Sequence, residues 1–258
     1  MRILLILFCF TIFSSVSFGQ DQNLNIKLGN YIFITKYDTS KYTTSLRIKN
    51  GDKTIYKNTS DFRIMDIKEY DLDRNGEKEI LIELYSGGAH CCTFLVAARI
   101  INNKFNILDT IYWGNSHYSI NDINDDGKSE ISGINDMFAY AFTNYAESKY
   151  PVLIYGFENN KFKDITKNFP KIIEEDLNEH LEELKFYTTD TGFACPKSAD
   201  EDTFNTDAGA VKAILAPIVA DYYSLGNVNR GYELVDSVYK CPDKDKFKEI
   251  LQTDYKLK

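Results

Sequence analysis

Two acidic loops hold the residues best spaced for chemistry. In the first, Asp71, Asp73 and Asn75 alternate, Gly76 follows, and Glu79 comes three residues later. In the second, the same places hold Asp122, Asn124, Asp126, Gly127 and Glu130, 51 positions further on. Oxygen-bearing side chains at every second position of a tight loop converge on one point, and a glycine at the sixth position permits the sharp turn because it tolerates positive φ. The residue after the glycine, Glu77 or Lys128, is placed to donate its backbone carbonyl. Three carboxylates and one amide per loop make a hard oxygen set, suited to Ca²⁺ rather than to Zn²⁺, which prefers nitrogen and sulfur. The ion expected here is a structural one that neutralises carboxylates and staples a loop to a sheet. The helix-loop-helix calcium hand places a bidentate Glu at its twelfth position. These loops have Ile82 and Gly133 there, and their acid stands at the ninth position instead. Without a metal, both stretches read as ordinary Asp/Asn/Gly turns.

A second singular stretch is Ser86-Gly87-Gly88-Ala89-His90-Cys91-Cys92. It allows a redox-active vicinal disulfide, a transition-metal site with His90, or a His90–Cys91 base–nucleophile pair. Against these stands a plain reading: a glycine turn, structural cysteines and an ordinary histidine. That reading is preferred, because no Asp or Asn partner for a triad can be assigned by spacing. Setting Cys9 aside with the leader leaves four cysteines, which allow three pairings. Cys195 and Cys241 flank a helical segment and are paired here, which leaves Cys91 with Cys92. Consecutive Cα atoms across a trans peptide sit about 3.8 Å apart, so a vicinal bond requires an irregular turn.

Those residues must be held by elements, and composition bounds what the elements are. The chain has 258 residues, 43% hydrophobic and 26% charged, with a net charge of -8. This is globular composition and excludes bulk disorder, collagen and a multi-span membrane protein. No basic block appears, so a nucleic-acid partner is not expected. Residues 1–19 read as a secretory signal peptide: Arg2, then an apolar run from Leu4 to Phe13, then Ser17 and Gly19 before a cut at Gln20. No second long apolar run follows, so no membrane span is expected after cleavage. The chain is expected to be secreted or periplasmic.

From about residue 25 to 169 the pattern is β, with Tyr31–Thr35, Thr44–Ile48, Glu79–Leu84, Thr93–Ile100 and Val152–Phe157 as strands between Asn/Asp/Gly turns. A hairpin recurs: Arg99–Phe105, centred on Asn102-Asn103, is echoed by Tyr155–Phe162, centred on Asn159-Asn160, and more loosely by Arg47–Lys53. With the repeated acidic loop, this predicts blade-like antiparallel units. There is room for about three, fewer than a closed propeller uses, so an open arrangement is expected. Beyond Pro170 the period becomes helical. Helices are predicted over Lys171–Leu184, from an N-cap at Asp207 through Leu225 with a kink at Pro217, and over Val228–Tyr239 and Asp243–Thr253. Glu174, Glu175 and Asp176 are read as a solvated helix face. Trp113, with Tyr112, His117 and Tyr118, is read first as core and second as an aromatic binding surface.

The loops and the hairpin repeat resemble the calcium loops of FG-GAP and VCBS-type repeats, found in integrin-like propellers and many exported bacterial proteins. The resemblance covers roughly Phe62–Phe162. It implies that Asp-x-Asp-x-Asp-Gly loops join two strands of a blade, with Glu79 and Glu130 in the last ligand place. The expected organisation is thus a leader (1–19), a β-rich repeat region (20–169) and a helical C-terminal region (170–258). The expected function is that of an exported calcium-binding module, structural or binding an envelope protein or glycan. The alternative is an exported thiol-redox or hydrolytic enzyme using His90-Cys91-Cys92. No phosphate-binding loop, dinucleotide fingerprint, serine elbow or His-Glu-x-x-His motif supports a broader enzyme reading.

Overall fold

The structure is a computed structural model that describes residues 23–88, 91–190 and 192–258. The expected leader, with Cys9, and His90 lie outside the described residues. Twelve strands form three four-stranded antiparallel sheets among the described residues, each a meander of consecutive strands. The first sheet holds β1 (Asn25–Leu28), β2 (Tyr31–Asp38), β3 (Thr43–Asn50) and β4 (Lys53–Ser60). The second holds β5 (Arg63–Tyr70), β6 (Glu79–Tyr85), β7 (Thr93–Ile101) and β8 (Lys104–Gly114). The third holds β9 (Tyr118–Asn121), β10 (Glu130–Ile134), β11 (Val152–Glu158) and β12 (Lys161–Asp164). The expected class, mainly antiparallel β with a helical C-terminal part, is the class observed.

The recurring hairpin joins the third strand to the fourth in every sheet. Asn102-Asn103 and Asn159-Asn160 both sit at positive φ (53° and 61°, 54° and 62°). That is the two-residue turn whose twist matches paired strands, and asparagine tolerates it better than most residues. These turns also connect sheets. Asn50 Nδ2 in the first sheet donates to Asn103 Oδ1 (2.7 Å), and the Phe162 amide in the third donates to Asp109 Oδ2 in the second (2.9 Å).

The second sheet lies between the other two. Successive side chains of a strand point to opposite faces, so a strand covered on both sides must be apolar at every position. Ile80-Leu81-Ile82 and Leu95-Val96-Ala97-Ala98 meet that demand. Ile80, Ile82, Val96 and Ala98 pack with Phe33, Leu46 and Ile48 of the first sheet. Leu81, Leu95 and Ala97 face the other way, with Trp113, onto Ile131 and Phe157 of the third. Trp113 is therefore core, while Tyr112 and His117 are exposed.

Four α-helices follow among the described residues: α1 (Pro170–Lys185), α2 (Asp207–Ser224), α3 (Val228–Val238) and α4 (Lys244–Thr253). Helix α1 opens on Pro170, whose missing N–H costs nothing at a first turn, and buries Ile173, Leu177, His180 and Leu184 along one stripe. Helix α2 is buried at every position from Ala208 to Asp221, so it is the axis of the helical core. It runs through Pro217 without ending. Its N-cap is Thr206 rather than Asp207: the Thr206 hydroxyl accepts from the Gly209 amide (3.2 Å), and Asp207 occupies the first turn. The last two helices end or begin one residue inside the expected bounds. Asp176 departs from the expected solvated face; it is partly buried, and its Oδ2 accepts from the Val152 amide (2.7 Å). The helical core is closed by a loop from the β region, because Phe138 and Phe142, between β10 and β11, pack into it. Cys195 is joined to Cys241, with Cα atoms 5.2 Å apart, tying the segment before α2 to the α3–α4 junction.

Leu95 is 1% exposed, between the second and third sheets. Leu95→Ala should cost about 2–5 kcal/mol of stability, the usual range for a buried leucine. Urea unfolding followed by the fluorescence of buried Trp113 measures it; a cost below 1 kcal/mol would mean the middle sheet is not packed on that face.

Candidate functional site

Both acidic loops occupy equivalent places, joining the first strand to the second in their sheets. Tyr70 pairs with Glu79 and Asn121 with Glu130, so each loop leaves and re-enters its sheet at the same register. The glycines that end the turns have φ of +84° at Gly76 and +86° at Gly127, which explains glycine at the sixth position. In each loop the first aspartate closes the turn: Asp71 Oδ2 accepts from the Gly76 amide (3.0 Å), and Asp122 Oδ2 from the Gly127 amide (2.7 Å).

The two loops differ in what remains. In the first, Asp73 Oδ2 accepts from Asn75 Nδ2 (3.0 Å) and Asn75 Oδ1 from the Glu77 amide (2.7 Å). Asp71 Oδ1 and Asp73 Oδ1 are buried and have no hydrogen-bond partner among the described residues. In the second loop the corresponding oxygens are occupied. Asp122 Oδ1 and Asn124 Oδ1 both accept from the Asp126 amide (3.1 Å each), and Asp126 Oδ1 accepts from the Lys128 amide (2.8 Å). A buried carboxylate oxygen without a donor is costly unless a cation or proton meets it. The donor set and the two orphaned oxygens of the first loop fit Ca²⁺; in the second, the same residue types are satisfied by backbone amides.

The ninth-position glutamates stand behind the loops. Glu79 is fully buried: its Oε2 accepts from the Leu72 amide (3.0 Å) and its Oε1 pairs with Arg99 Nη2. Arg99 also reaches Glu77 Oε2 (2.9 Å). Glu130 is 3% exposed, and its Oε2 accepts from the Ile123 amide (2.8 Å). Burial raises its pKa above the usual carboxylate range, and the Ile123 N–H works against that rise. Both glutamates therefore hold a loop amide at the sheet edge, a role beyond the ligand place that the resemblance implies. The loops also touch: Arg74 Nη1 donates to the Asp126 carbonyl (2.9 Å).

Cys91 and Cys92 are joined to each other, and the peptide between them is cis, so their Cα atoms lie 3.1 Å apart rather than at trans spacing. The Cys92 amide donates to Ser86 Oγ (2.7 Å), and Tyr112 Oη lies 3.2 Å from Cys92 Sγ and 3.8 Å from Cys91 Sγ. A hydrolytic nucleophile at Cys91 would first require that bond to be reduced. Sequence reasoning missed Arg99, and it missed the buried pair Lys212–Asp243 (2.7 Å), in which Asp243 also accepts from Tyr239 Oη (2.9 Å). Asp243 stands before α4 but makes no side-chain cap bond there. The one available signal was a lysine inside the otherwise apolar run Ala208–Ala220.

No protein family model matches the chain, and no solved structure matches it. A probable thylakoid lumen protein of Synechocystis is 27% identical over 134 residues, 50% of this chain and 40% of that protein. An uncharacterized protein of Sinorhizobium fredii is 28% identical over 98 residues, 38% of this chain and 16% of that protein. The chain thus spans less than half the length of the curated relatives it matches.

Glu79→Ala should destabilise the fold by about 3–5 kcal/mol, because it leaves Arg99 with only the exposed Glu77 carboxylate and the Leu72 amide without an acceptor. The loss should be the same in calcium and in chelator. Denaturant midpoints in both conditions check this; a loss confined to calcium would make Glu79 a ligand first.

Proposed function

We propose that this chain is an exported calcium-binding β-repeat protein that acts as a structural or binding module at the cell envelope or outside the cell. The observation that carries the reading is the pair of buried, partnerless oxygens on Asp71 and Asp73 in a loop of matching donor chemistry. Asp71, Asp73 and Asn75 are the primary ligands, with the Glu77 carbonyl beside them. Asp122, Asn124 and Asp126 form a weaker second site, because an ion there must displace amide hydrogen bonds already made. Three four-stranded meanders, two of them with acidic loops in register, support the likeness to FG-GAP and VCBS-type blades.

Export rests on the leader-like residues 1–19 and on the lumenal assignment carried by the name of the Synechocystis relative. Among the described residues, no helix is long and apolar enough to cross a membrane. An envelope protein or a glycan is the partner class that such a module would serve.

A ligand that binds only the folded state stabilises it by mass action, about 2.7 kcal/mol at a hundredfold excess over Kd. Thermal unfolding of residues 20–258 in chelator and then in millimolar calcium, with magnesium as control, should show a calcium-specific rise. Asp71→Ala with Asp73→Ala should abolish most of it, and should lower the melting temperature in chelator only slightly, through loss of the Asp71–Gly76 turn bond. Equal melting of parent and variant in calcium would remove the site.

A second reading, an exported thiol oxidoreductase, has the Tyr112 hydroxyl in its favour, a proton donor beside both sulfurs. A dithiol partner would pass two electrons and two protons to the Cys91–Cys92 bond and leave as a disulfide. Under mild reduction of the folded protein, this reading expects Cys91 and Cys92 to become alkylated while Cys195 and Cys241 do not. Peptide mapping that finds both pairs equally resistant would reject it.

A further inference from the structure

A different set of ligand atoms lies where helices α1 and α2 pack, away from both loops. Asp176 and His180 are four residues apart on one face of α1, and Asp221 comes from the last turn of α2. One ligand atom from each of the three lies within 4.8 Å of the others. His180 Nε2 is 3.8 Å from Asp176 Oδ1 and 3.1 Å from the Tyr150 carbonyl oxygen. Asp176 Oδ2 is held by the Val152 amide (2.7 Å), which leaves Oδ1 turned to the cluster.

Asp221 is the unusual member. It is 1% exposed, and its Oδ2 is buried with no hydrogen-bond partner among the described residues. No Lys or Arg side chain makes an ion pair with Asp176 or Asp221 among the described residues. An apolar side chain would pack α2 at that position at less cost, since a buried polar atom without a partner destabilises the fold.

We propose that Asp176, His180 and Asp221 form a binding site for a divalent transition metal of the zinc class. Donors around such an ion sit about 2.0–2.2 Å from it, so groups within 4.8 Å of one another need only a small inward movement to share one ion. An imidazole with two carboxylates suits zinc-class ions better than calcium, which prefers oxygen alone. The Tyr150 carbonyl is a third oxygen, and a fourth donor, beside the histidine. The Asp176 side chain is 20% exposed and His180 10%, which gives an ion a way in. Helix α1, helix α2 and the strand-leading segment at Tyr150 would then be fastened at one point.

The test uses the folded protein of residues 20–258, stripped with chelator and titrated with ZnCl₂ by calorimetry. The expected result is one zinc site per chain, with affinity at least about tenfold weaker in Asp221→Asn. Asp221→Asn preserves shape and removes a buried carboxylate, so its melting temperature in chelator should not fall. Asp71→Ala with Asp73→Ala should leave zinc uptake intact, which separates this site from the calcium reading. Added Co²⁺ should shift or broaden the His180 ring signals in NMR spectra of the parent protein, a check that needs no variant. Absence of zinc uptake at tens of micromolar, equal uptake by Asp221→Asn, or an unperturbed His180 would each overturn the proposal.

Discussion

The middle sheet is covered on both faces, and most of the β region follows from that constraint. A strand with two buried faces has no position left for solvent-facing polarity, which is why β6 and β7 carry consecutive rather than alternating apolar residues. Polar atoms are pushed to the ends of those strands. Glu79 stands at the first residue of β6, at the rim of this dry layer, and takes the Leu72 amide and the Arg99 guanidinium there. The acidic loop above it is thereby anchored to the most buried part of the sheet. In the third sheet Glu130 does the same for the Ile123 amide without a guanidinium partner.

The helical part is built on a different principle. Helix α2 is buried all round, and its polar residues must find partners inside the core. Lys212 finds Asp243, which also accepts from the Tyr239 hydroxyl, and this links the first half of α2 to the start of α4. Asp221 Oδ2 finds no donor among the described residues. The β region contributes Phe138 and Phe142 to this core, so the two parts share side chains rather than meeting only at a linker.

Short-range patterns in the sequence were legible. The alternating oxygens of the loops, the repeated Asn-Asn hairpin and the change from β to helical period at Pro170 each lie within a dozen residues and obey local geometry. The hairpins proved to hold the same place in all three sheets. What escaped reading depends on long-range pairing. Arg99 belongs with Glu79 and Lys212 with Asp243, and His180 lies within 4.8 Å of Asp221; nothing near any of them in the chain announces the neighbour. Asp176 was misplaced on a wet helix face because its neighbours Glu174 and Glu175 are wet; only the strand beside α1 makes it different. The boundary between occupied and orphaned loop oxygens was equally hidden, since both loops have the same donor types in the same order.

The three sheets form a row, not a ring. Each apolar cluster of the β region joins one sheet to the next, the first to the second and the second to the third. A ring of blades must satisfy a closure angle shared by all its members, so gaining or losing one blade forces the rest to readjust. A row has no such requirement. Its length is free to change by whole sheets, each new member needing only one compatible neighbour and an outer face fit for water. The edge strand β4, exposed at most of its positions, gives the first sheet that kind of outer boundary. Such an architecture grows by duplication at an end, and the near-identical spacing of the two acidic loops is the trace that such a step would leave.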